Sequence, residues 1–95
     1  MTPALKLERL KKIHSERAAD ILRVASIPEV PLKHKQHLYS CLNNLCQLSA
    51  RLFGDLSAEP GNHDMLEEAA RIDAALLDLR RRVGSMMPTR IQMAA

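Results

Sequence analysis

The stretch from Leu38 to Phe53 constrains this chain more than any other. Read at about 100° per residue, Leu38, Tyr39, Cys41, Leu42, Leu45, Cys46, Leu48, Ala50, Leu52 and Phe53 spread over roughly 200° of a helical surface. Only Ser40, Asn43, Asn44, Gln47 and Arg51 are left for water. A surface helix needs an apolar stripe about half as wide. A helix this apolar must be covered on two sides, by its own chain, by a second copy or by another protein.

Composition narrows the way that covering is done. Tyr39 and Phe53 are the only aromatic residues and there is no Trp. A core of Leu, Ile, Val, Ala and Met suits helix-on-helix packing better than a sheet. A chain of 95 residues makes one domain, and a domain of that size buries only roughly 60–65% of its unfolded surface. Additional burial by association would therefore be worth having.

The predicted domain spans residues 1–84, with helices over about 3–25, 32–53 and 63–83. Thr2 can cap the first, and Pro3 suits its first position because the missing N–H costs nothing there. Leu7, Leu10, Ile13, Ala18, Ile21, Val24 and Ala25 share its apolar face, with His14 and Arg17 in the middle of it. Pro28 and Pro31 bias Ile27 and Val30 out of helical dihedrals, giving a short stiff connector. Gly54 is placed to end the second helix and Asn62 to cap the third. Residues 85–95, with Met86, Met87 and Met93, lack a helical period and read as a flexible tail.

The third helix carries the most regular pattern. Met65, Ala69, Ile72, Leu76, Leu79 and Val83 repeat with 4-3-4-3-4 spacing, a heptad seam. Leu66, Ala70 and Leu77 form a weaker stripe beside it. Asp64, Glu67 and Glu68 at its start and Arg80, Arg81 and Arg82 at its end match the helix dipole. The expected fold is all-α: a three-helix antiparallel bundle with the second helix central, the first on one side of it and the third on the other. If the third helix spends its seam inside the chain, the protein is a plain bundle. If not, the seam pairs with a copy of itself, and a helical homodimer is the expectation slightly favoured here.

The net charge of +3 is mild and unevenly placed. Lys6, Arg9, Lys11, Lys12, Arg17 and Arg23 make the first helix basic, and the start of the third is acidic. The simplest account is two solvated faces that attract each other. No apolar run approaches the ~18 residues of a membrane span, and the beginning of the chain turns charged at Lys6, unlike a signal peptide. Cys41 and Cys46, five apart on one helix, cannot reach disulfide geometry. Reduced thiols and a cytoplasmic location are expected.

Signals for chemistry are weak. His34, His37 and Cys41 fall on one side of the second helix, with side chains suited to zinc or copper. A fourth ligand and a supporting shell have no candidate in the pattern, so neither a metal nor another cofactor is expected. Cys41 or Cys46 as a nucleophile lacks an oxyanion-forming turn, and Glu67–Glu68 is explained by the helix dipole. No enzyme is expected. Arg80, Arg81 and Arg82 are the best nucleic-acid feature, yet consecutive helical residues point about 100° apart and no aromatic platform accompanies them.

The leading expectation is a small protein-binding module, an adaptor, inhibitor or chaperone-like holder, acting through helix–helix packing on another helical protein or on itself. Its expected contact residues are Leu38, Leu42, Leu45, Met65, Ile72, Leu76, Leu79 and Val83, with Arg80, Arg81 and Arg82 and His34 or His37 at the rim. The alternative is a small basic nucleic-acid-associated regulator, which predicts salt-sensitive binding.

Overall fold

A computed structural model describes residues 2–87. They form three helices: α1 (Pro3–Ser26), α2 (Leu32–Ser57) and α3 (His63–Ser85), all packed on one another, with α2 and α3 sharing the most extensive contact. The all-α three-helix bundle read from the sequence is the fold.

Two clusters of core residues give the directions of the helices. Leu7 and Leu10 of α1 pack with Cys46, Leu52 and Leu56 of α2 and with Ala69, Ile72 and Leu76 of α3. Ala25 packs with Leu42, Leu79 and Val83. The start of α1 thus meets the end of α2 and the start of α3, so α2 runs antiparallel to both neighbours.

Local chemistry sets most of the boundaries. The Leu5 N–H donates to Thr2 Oγ1 at 3.3 Å, closing the start of α1, with Pro3 in its first turn. At the start of α2, His34 and Lys35 donate to the Pro31 carbonyl. Asn62 does not cap α3 with its side chain; its carbonyl accepts from the Leu66 N–H instead. Gly54 does not end α2, which runs one turn further to Ser57. That turn carries Leu56 into the core, where it is buried. The left-handed turn falls at Gly61 (φ 91°), just before α3, where a side chain would be strained.

The seam of α3 is spent inside the chain. Ala69, Ile72, Leu76, Leu79 and Val83 are all buried, and Met65 is half-buried against the first cluster. On α2 the buried residues are Lys35, Leu42, Cys46, Ser49, Leu52 and Leu56. These form one stripe near the heptad period, over which α1 and α3 converge. The two neighbours do not take opposite sides of α2. In a triangular bundle each helix also touches the third, so the covered arc on any one of them is narrow. Cys41, Leu48, Ala50 and Phe53 are consequently left exposed.

On α1 the inward line passes through Leu7, Leu10, Ala18, Ile21 and Ala25, with Lys11 and His14 half-buried between its ends. Ile13, expected on the buried face, lies at its edge and is exposed. Arg17 is exposed and makes no ion pair with any described residue. Of the sequence's tail, Ser85 belongs to α3 and Met86 packs against the second cluster. Residues 88–95, including Met93, lie outside the described residues. No helix among the described residues is long and apolar enough to cross a membrane.

Candidate partner-binding groove

Because α1 and α2 share the least extensive contact of the three pairs, a trough runs between them. Lys6, Arg9, Leu10 and Ile13 of α1 and Leu45, Leu48, Arg51, Leu52 and Asp55 of α2 line a groove of about 410 Å³. Leu10 and Leu52 are buried and form its floor. Leu45 is half-buried, while Ile13 and Leu48 stand 37% and 53% exposed. The spacing of 6, 9, 10 and 13 on α1 and of 45, 48, 52 and 55 on α2 explains the shape: each set is one helical stripe about two to three turns long. Since the helices are antiparallel, Lys6 lies toward Asp55, and Ile13 toward Leu45 and Leu48.

The rim is cationic. Lys6, Arg9 and Arg51 make no ion pair with any described residue, and Asp55 is the single acid in the groove. Two other depressions are shallower and carry less apolar surface: one along α1 beside Leu5 and Lys12, the other between Lys11 and Ala75.

Elsewhere part of the charge is taken up internally. Lys11 Nζ sits 3.3 Å from Glu8 Oε1 and 3.4 Å from Glu68 Oε2, tying α1 to α3. Hydrogen bonds to Glu8 and then Glu68 hold its ammonium above the usual lysine range. This is the one ion pair, among the described residues, that joins the basic helix to the acidic one. The arginine run is also occupied. Arg80 Nη1 donates to Asn43 Oδ1 at 2.8 Å across the α2–α3 contact. Arg81 and Arg82 grip Asp78 at 2.6 and 2.9 Å. The hydrogen bond from Arg81, followed by the charges of both arginines, holds the Asp78 carboxyl below the usual carboxylate range.

The structure places the expected contact residues in two groups. Leu42, Ile72, Leu76, Leu79 and Val83 are buried in the core of the chain. Leu38, Leu45, Met65 and Arg80 are half-buried, and Arg81 and Arg82 are exposed. Of these, only Leu45 lines the groove. Sequence alone does not single out Lys6, Arg9, Ile13, Leu48 and Arg51 as contacts, because the rotation of α1 relative to α2 decides which of their residues meet.

His34, His37 and Cys41 are all exposed, and Cys41 Sγ lies 3.7 Å from His37 Nε2. Among the described residues no three His, Cys, Asp or Glu side chains converge as metal ligands do. Both thiols are free, and burial pushes that of Cys46 above its ordinary pKa.

Two buried polar residues on α2 carried no signal in the apolar pattern. Lys35 lies in the covered stripe. Ser49 is 1% exposed and its hydroxyl has no hydrogen-bond partner. Comparison of the chain with protein-family models, curated proteins and solved structures finds no match.

Proposed function

We propose that this chain is a small protein-binding module, an adaptor, inhibitor or chaperone-like holder, which receives a helix of another protein in the α1–α2 groove. One observation carries the reading. Folding consumes the seams of α2 and α3, yet it leaves Ile13 and Leu48 exposed beside a groove with an apolar floor. An added helix laid between α1 and α2 would cover both, completing a four-helix arrangement of ordinary geometry.

The free, exposed thiol of Cys41 suits a reducing compartment and supports a cytoplasmic location. The α3 seam is buried within the chain, so a homodimer of this folded chain would use the groove or another outer face. The nucleic-acid alternative draws less support from Arg80, Arg81 and Arg82, because each holds a partner within the chain.

The test compares the full chain with its Leu48→Asp variant as bait, in parallel. Leu48 is exposed, so the variant should keep its helical circular dichroism and its unfolding temperature. A protein retained by the parent chain and lost by the folded variant supports the proposal. Equal recovery by both, or no protein on either, overturns it.

A further inference from the structure

The groove's unpaired cations specify more than a generic helix. We infer that its occupant is an amphipathic helix of another protein, with apolar residues at the a and d positions of a short seam and Asp or Glu on both flanks. This deepens the groove reading above and depends on it.

The argument is charge placement. Lys6 and Arg9 stand on the α1 side of the groove and Arg51 on the α2 side, so both edges are positive. None of the three makes an ion pair with a described residue, and unlike the equally unpaired Lys12, Arg17 and Arg71 they flank a groove with an apolar floor. A helix lying between α1 and α2 turns its a and d side chains to Leu10, Ile13, Leu45 and Leu48. Its e and g positions then face the two edges, where charge decides which partner is accepted. Carboxylates at e and g meet Arg9 on one side and Arg51 on the other. Lysines there would face like charge.

A second copy of this chain fits poorly. Its one strongly acidic segment, around Glu67 and Glu68, belongs to α3, whose apolar seam is buried. Asp55 is the exception in the groove; it marks the Lys6 end as the place where the partner's acidic flank stops.

The experiment titrates the 95-residue chain into two fluorescently labelled synthetic peptides, each about three heptads long with Leu at a and d. One has Glu at e and g, the other Lys. The Glu peptide should bind at low salt and weaken as salt rises, and the Lys peptide should bind far less. Leu48→Asp should abolish binding. Arg9→Glu and Arg51→Glu should each weaken the Glu peptide by about two- to fivefold and together move preference toward the Lys peptide.

Equal binding of both peptides, abolished by Leu48→Asp, overturns the charge inference and leaves the groove reading standing. No binding of either peptide, or binding indifferent to Leu48→Asp, overturns both. Concentration-dependent mass in light scattering that Leu48→Asp abolishes assigns the groove to a second copy and overturns the inference. So does duplex DNA that displaces the Glu peptide and loses its hold on Arg9→Glu and Arg51→Glu.

Discussion

Ser49→Ala should make this protein more stable. Ser49 sits on the covered stripe of α2, 1% exposed, and its hydroxyl meets neither donor nor acceptor. Leaving a hydroxyl desolvated and unpaired costs about 1–3 kcal/mol, and alanine removes that cost. Alanine also suits a helix interior better than serine, by about 0.5 kcal/mol. Against this stands the packing lost with one oxygen atom, a small term because alanine keeps the Cβ. The net expectation is a gain of about 1–3 kcal/mol, and a domain of this size shifts its Tm by about 4–8 °C per kcal/mol. Ser40→Ala is the control. Ser40 lies on the same helix but is exposed, so it reports helix propensity alone. Urea and thermal unfolding of the two variants, followed by circular dichroism at 222 nm in the ordinary helical band, separate the buried-hydroxyl effect from propensity. A Ser49→Ala variant less stable than the parent, or no more stabilised than Ser40→Ala, would refute the reasoning: the hydroxyl would then be bonded.

Other outcomes follow from the same packing. Leu76 is buried where the seam of α3 meets both neighbours, and Leu76→Ala should cost about 2–5 kcal/mol, read as a lowered urea midpoint. Asp78 is held below its ordinary pKa by Arg81 and Arg82. A depressed carboxylate stabilises the fold above its unfolded pKa and loses that contribution as pH falls through the folded value. Stability should therefore decline below about pH 4, and the gap between the parent and Asp78→Asn should close there; a gap constant with pH refutes the pairing. Under native conditions iodoacetamide should modify the exposed Cys41 and spare Cys46, which is buried with its thiol pKa raised. Mass spectrometry should count one adduct per chain, and two in denaturant.

The parts of this fold that were legible from sequence are those where apolar spacing and turn chemistry agree. Met65 to Val83 announces a seam because its members are apolar at every step, and all of them are buried or half-buried. Thr2 and Pro3, and the pair Pro28 and Pro31, mark boundaries through backbone chemistry that needs no tertiary knowledge. The second helix is different. Its leucines cover so much of the wheel that hydrophobicity alone does not say which side is covered. Lys35, Leu42, Ser49 and Leu56 are spaced by seven, and all four are buried. Register with the neighbouring helices, and not side-chain polarity, selects them. A heptad count would have found Lys35 and Ser49 where an apolar count does not.

The groove was less legible for the same reason. Lys6, Arg9 and Ile13 read as parts of a basic or a core-facing helix until α1 is rotated against α2. A turn of one residue, about 100°, would have buried Ile13 and dispersed the cations. The wide apolar surface of the middle helix implies covering on two sides, but within the chain only one stripe of it is covered. Even after α1 and α3 have packed on it, Leu48 and Phe53 remain exposed.

The most direct test of this account is crosslinking from position 48 inside cells that make the protein. A photoreactive amino acid replaces Leu48 in one strain and the exposed Gln47 in another. The account predicts a discrete adduct between this chain and a different protein from position 48, and none from position 47. The absence of any adduct from position 48, or the same adducts from both positions, would contradict it.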